Sequence, residues 1–169
     1  MSPPSSPQVA IIMGSDSDLP VMQAAVQALR DLGIPHEVHV ASAHRTPERA
    51  VALAQAARAR GLRVLIAGAG GAAHLAGVLA AHTTLPVIGV PIASGALGGL
   101  DALLSTAQMP PGVPVATVAV NGARNAALLA AHILGATDPE LAARLEAMKR
   151  EMAQRVEEAS ARLREKLGQ

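Results

Sequence analysis

Two hydrophobic rhythms alternate along this chain. Continuous apolar runs stand at Val9-Ala10-Ile11-Ile12-Met13, Val64-Leu65-Ile66-Ala67, Pro86 to Pro91 and Val115 to Val120. Such runs read as strands buried on both faces. A fifth segment, His36 to Val40, alternates polar and apolar, the pattern of a half-exposed edge strand with His36 and His39 at the surface. Helix-period segments separate them. Leu19 to Leu32 carries Met22, Val26 and Leu29 on one face and stops at Gly33. Pro47 to Arg60 ends at Gly61, with Thr46 suited to cap it and Pro47 to its first position. A third helix carries Leu100, Leu103 and Leu104 towards Met109 and breaks at Pro110-Pro111-Gly112, and a fourth runs from about Asn125 to Leu134.

Strands alternating with helices predict an α/β protein: a parallel sheet covered by helices on both faces. The polar second strand belongs at an edge, which fits the flavodoxin-like order 2-1-3-4-5. In that order the loops after the first, second and third strands lie side by side. Beyond them, 138–167 reads as one long helix opened by Asp138-Pro139-Glu140. Its apolar stripe runs through Leu141, Leu145, Met148, Met152, Val156, Ala159, Leu163 and Leu167, and part of it is expected to face another subunit. Residues 8–169, this helix included, are expected to form a single domain. The polar, Pro-rich residues 1–7 are expected to be a disordered leader.

Composition narrows the chemistry. The 169 residues contain no Cys, Phe, Tyr or Trp. Disulfides, thiol nucleophiles and thiolate metal sites are therefore excluded, and no aromatic ring is available to stack on a base. A formal net charge of +1 gives no footprint for nucleic acid. No apolar run reaches membrane-spanning length and the N-terminus lacks a signal-peptide pattern, so a soluble cytoplasmic protein is expected.

The polar exceptions sit where ligands bind in such sheets, at the carboxyl ends of strands. After the second strand comes Ala41-Ser42-Ala43-His44-Arg45-Thr46-Pro47. An imidazole can move protons near neutral pH, and a guanidinium can grip a phosphate or carboxylate through two parallel hydrogen bonds. After the first strand, Gly14-Ser15-Asp16-Ser17-Asp18 forms a turn before a helix, a ready anion site. Two aspartates would repel a phosphate, so at least one is expected to cap the helix or hold sugar hydroxyls. After the third strand, Gly68-Ala69-Gly70-Gly71-Ala72-Ala73-His74-Leu75 is almost bare of side chains. It matches G-x-G-x-x-A, but it follows the third strand and no acidic residue lies about twenty residues on, which argues against a dinucleotide. Close approach of backbone to a small ligand is the better use, with His74 either a ligand contact or a packed helix-start residue.

Taken together, these three loops resemble the signatures of class I N5-carboxyaminoimidazole ribonucleotide mutase, the bacterial PurE family. Leu85 to Pro91, Gln108-Met109-Pro110 and Asn125 to Ala130 continue the match in the family's order. Ala76 and Val78 depart from the family's usual Pro and Met, Gly98 from its usual Ser or Asn, and 121–124 is shorter than its usual loop. The resemblance implies a three-layer α/β/α fold and a homo-octamer with active sites near subunit interfaces. It implies interconversion of N5-carboxyaminoimidazole ribonucleotide and 4-carboxy-5-aminoimidazole ribonucleotide in purine biosynthesis, with no metal and no organic cofactor. It also implies roles for residues: His44 catalytic; Ser15, Asp18 and Arg45 on the substrate; Ser42 on the phosphate side; Gly70 and Gly71 around the migrating carboxyl group. The rival readings are a direct aminoimidazole ribonucleotide carboxylase using CO₂ and a non-catalytic flavodoxin-like nucleotide-binding module.

Overall fold

A computed structural model describes residues 6–168; the expected leader, 1–7, lies outside the described residues except for Ser6 and Pro7. The described chain divides into two compact units, one ending at Ala131 and one beginning at His132.

The first unit holds a five-stranded parallel sheet in the order β2-β1-β3-β4-β5, the order expected from the polar second strand. Its strands are β1 (Val9–Met13), β2 (His36–Val40), β3 (Val64–Gly70), β4 (Val87–Ile92) and β5 (Ala116–Thr117). Every residue of β1 and β4 is buried, as is β3 up to Gly68, which is why these segments read as unbroken apolar runs. Its helices are α1 (Leu19–Asp31), α2 (Pro47–Ala57), α3 (Leu75–Ala81) and α4 (Leu100–Ala107), and α5 (Ala123–Gly135) begins in this unit and ends in the second. A single 3₁₀ turn, Asp16–Asp18, precedes α1.

With no aromatic side chain available, the core is aliphatic and the helices turn small residues inward. Ala50, Ala54 and Ala57 of α2 and Ala76 of α3 pack with Ala10, Ile12, Leu65 and Leu79. Glycines in the strands bring helices closer still. A Cβ on Gly68 would lie 2.4 Å from Sδ of the fully buried Met22, so α1 sits against bare backbone there.

Four sequence expectations are corrected. β3 runs to Gly70 rather than Ala67, because Gly68 pairs with Met13 on one side and Gly70 with Ile92 on the other. Pairing on both flanks holds even glycines extended. β5 keeps two residues of the expected six. Val118 donates to Gly89 O, but the next rung of a parallel ladder needs an N–H from residue 91, which is Pro91. On β2 the two valines face out, each 42% exposed, while His36 and His39 are half-buried. His36 Nδ1 lies 2.8 Å from Ile34 O, and His39 Nε2 lies 2.9 Å from Glu37 Oε1, with Arg60 on the other carboxylate oxygen. Polar neighbours, rather than the alternation alone, decide which face is covered. α2, finally, stops at Ala57 and yields to a turn closing at Gly61.

The second unit is dominated by α6 (Pro139–Leu167), whose N-cap Asp138 accepts a 3.0 Å hydrogen bond from the Leu141 N–H. Leu141 and Leu145 are buried, whereas Met152, Val156, Leu163 and Leu167 are exposed. The apolar stripe thus continues well past its covered portion.

Candidate active site

The site begins with how each loop is fixed. Ser15 leaves β1 in extended conformation and caps the 3₁₀ turn: its Oγ accepts from the Ser17 N–H at 3.3 Å. Asp18 Oδ2 accepts in return from the Ser15 N–H at 3.0 Å, completing a capping box. Asp16 Oδ1 accepts from the Ser17 N–H and the Ser15 hydroxyl. Both aspartates are therefore tied into the turn. Burial pushes the Asp18 carboxyl above its ordinary value, and Asp16 adds to that. The hydrogen bonds from the turn's backbone and the positive charge of Arg45 act in the opposite direction.

The loop after β2 folds around Ser42. Its Oγ accepts from the N–H groups of His44 and Arg45, at 3.3 and 3.1 Å, which leaves the hydroxyl proton free to donate. Thr46 stands at the N-cap of α2 and Pro47 at its first position, as the sequence suggested. The expected capping bond from Thr46 is absent, however. Its hydroxyl instead closes the loop, accepting from the Ser42 N–H at 2.9 Å and donating to Ser42 O at 3.2 Å. Arg45 reaches across to donate to Gly14 O at 3.4 Å, tying the β2 and β1 loops together.

The loop after β3 turns at Gly71, where φ is 60°, and delivers His74 to the N-terminus of α3. There the sheet order has its largest effect. His44 Nε2 lies 2.7 Å from His74 Nδ1, with the rings edge to face at 88° and centroids 4.9 Å apart. One nitrogen donates and the other accepts. His44 Nδ1 and His74 Nε2 have no protein partner among the described residues. The pair can thus hold a shared proton inside and exchange protons through two outer nitrogens.

All three loops line one cleft of about 350 Å³. It is bordered by Ser15, Asp18, Ser42, His44, Arg45, Gly70 and His74, seven of the eight residues singled out in the sequence. Gly71 is not part of the wall; its role is the turn. Two polar residues that sequence reasoning passed over also line it: Ser17, in the turn after β1, and Ser94, two residues beyond β4. The rule that found the other loops, polar residues just past a strand's carboxyl end, applies to Ser94 as well. A second hollow shares Gly14, Ser15, Ser42 and Arg45 with this cleft and adds Arg49 and Asp16. Among the described residues no group of three or more His, Cys, Asp or Glu side chains is placed to hold a metal ion.

Fold and cleft define the class: a doubly wound α/β protein whose polar side chains converge over the carboxyl end of the sheet, at the switch between β1 and β3. The family model "AIR carboxylase" matches residues 8–155. The N5-carboxyaminoimidazole ribonucleotide mutase of Pyrococcus horikoshii is 58% identical over 94% of this chain and 90% of its own length. The mutase of Thermotoga maritima is 55% identical over 93% of this chain and 92% of its own. A crystal structure of Treponema denticola PurE superposes with a TM-score of 0.85 at 31% identity, covering 93% of this chain and 98% of that one. The chain belongs to the AIR carboxylase family, among its class I N5-carboxyaminoimidazole ribonucleotide mutases.

Proposed function

We propose that this chain catalyses the reaction of its mutase relatives in purine biosynthesis, with His44 as the acid and base. The observation that carries the assignment is the His44–His74 pair, held at 2.7 Å in a cleft that also presents Arg45, Ser42, Ser15 and Asp18.

The chemistry follows from what the substrate needs. Its phosphate needs donors, which Arg45 and the Ser42 hydroxyl supply. Its ribose hydroxyls need an acceptor, and Asp18 lies in the same wall. The carbamate on the exocyclic nitrogen breaks its N–C bond when a proton reaches that nitrogen, leaving CO₂ and the free amine. The ring carbon then bonds to the CO₂ carbon, and its proton departs to restore aromaticity. His44 delivers the first proton and takes up the second, so the enzyme returns to its starting state. Between the two steps the CO₂ must stay beside the ring, and the Ala69, Gly70, Ala72 and Leu75 portion of the wall carries no charge that would hold water there.

The protein is further proposed to act in the cytoplasm as a homo-octamer. Among the described residues no helix is long and apolar enough to cross a membrane. Leu97, Leu100 and Leu104 around α4, and the outer stripe of α6, are apolar surfaces that other copies would cover.

The test uses substrate labelled with ¹³C in its carbamate, in buffer equilibrated with unlabelled CO₂, followed by NMR. Label appearing on the ring carbon of the product is the expected result. Product whose label is diluted into the bulk would identify a carboxylase working through free CO₂. Absence of product above the enzyme-free control would overturn the enzyme reading and leave a binding module.

A further inference from the structure

Sheet order arranges the cleft along a line. The loops of β2 and β1 contribute Arg45, Ser42, Ser15 and Asp18 at one end, and those of β3 and β4 form the other. At this second end the polar side chains in the wall are His74 and Ser94. Ser94 stands out because backbone has been cleared for it. A Cβ on Gly70 would lie 2.4 Å from Ser94 Oγ, so only glycine at 70 leaves room for the hydroxyl where it is. No other residue among those described hydrogen-bonds that hydroxyl, and Ser94 is exposed to the open cleft. It is a donor with nothing in the protein to donate to.

We infer that Ser94 donates a hydrogen bond to the carboxyl group in transit. The inference rests on the mutase reading and deepens it. The phosphate belongs at the end holding Arg45, so the heterocycle and its carbamate extend towards β3 and β4. Once the N–C bond has broken, CO₂ is neutral and small and has little to hold it. When the new C–C bond forms, negative charge gathers on its two oxygens. A hydroxyl aimed at one of them holds the molecule before bonding and stabilises the charge afterwards. Ser94 does this without adding charge to the apolar wall, and the proton traffic stays with His44.

The experiment compares the wild-type enzyme with Ser94→Ala and Ser94→Thr, using the ¹³C-labelled carbamate substrate. The readout is the fraction of enzymatic turnovers that end as free amine plus CO₂ rather than as carboxylated ring, corrected for enzyme-free decay. Loss of one such hydrogen bond should raise the leaked fraction about 2- to 13-fold in Ser94→Ala, and Ser94→Thr, which keeps the hydroxyl, should restore retention. Leakage equal to wild type, even with a lower rate, overturns the role of Ser94 and leaves the mutase reading standing. Failure of the wild-type enzyme to pass label to the ring carbon removes the mutase reading and this inference with it.

Discussion

Replacing His44 by Asn tests the centre of the site most directly. Asn keeps a polar side chain of similar reach but cannot take up and release a proton near neutral pH. General acid–base catalysis is worth about 10²- to 10⁴-fold, or about 2.7–5.4 kcal/mol of barrier at 1.36 kcal/mol per tenfold. Turnover should fall by at least the lower figure, while the ribotide still binds through groups that His44 does not supply. The geometry sets a second magnitude. His74 touches His44 through one 2.7 Å hydrogen bond. If it only orients the catalytic ring, His74→Ala should cost about one such bond, about 2- to 13-fold in turnover. The double substitution should then be no slower than His44→Asn alone, since orienting a ring that is absent does nothing. Steady-state turnover on purified substrate, with calorimetric titration of the ribotide, gives all these quantities. Turnover of His44→Asn within tenfold of wild type would refute the acid–base assignment. Losses that multiply in the double variant would show that His74 acts on its own.

Three further outcomes follow from the same geometry. Arg45→Ala should weaken ribotide binding about 10- to 150-fold, the value of a charge-assisted hydrogen bond, and calorimetry showing unchanged affinity would remove it from the phosphate. Asp18→Asn should change how stability responds to pH: burial makes the native carboxyl hold its proton above the ordinary 3.8, so the wild type loses stability relative to the Asp18→Asn variant as pH rises through the native value. Denaturant titrations of both proteins at about pH 4 and about pH 7 should show the gap moving in favour of the Asn variant, and a shift the other way contradicts the burial argument. Gly68→Ala should lower the melting temperature by about 2–12 °C through overpacking of about 1–3 kcal/mol against Met22. An equal loss in a Met22→Ala background would show that this side chain is not the obstacle.

Much of this was readable from residue types alone because the informative residues are exceptions to an apolar background. The runs at Val9–Met13 and Val87–Ile92 announce buried parallel strands, and the polar β2 announces the edge, which is enough to set the order. Once the order is set, the loops bearing Ser15, His44 and Gly70 must be neighbours. What stayed hidden depends on contacts distant in sequence. The 2.7 Å approach of His44 to His74 spans thirty positions. Ser94 matters through the bare Cα of Gly70, which no local pattern announces. The extension of β3 through Gly68 and Gly70 runs against the usual reading of glycine as a loop residue, and the shortness of β5 comes from a proline on its neighbour. Nor does the alternation in β2 reveal that Glu37 and Arg60 would draw in His39 and leave Val38 and Val40 outside.

The absence of aromatic side chains also makes the protein optically dark. With no Trp, Tyr or Phe, it contributes almost nothing to near-ultraviolet absorbance, intrinsic fluorescence or near-ultraviolet circular dichroism. Any such signal that appears on adding a ribotide belongs to the ribotide. An imidazole ring fixed in a chiral cleft can therefore be watched without a protein background, and its loss of one carboxyl group and gain of another can be followed in real time with no label.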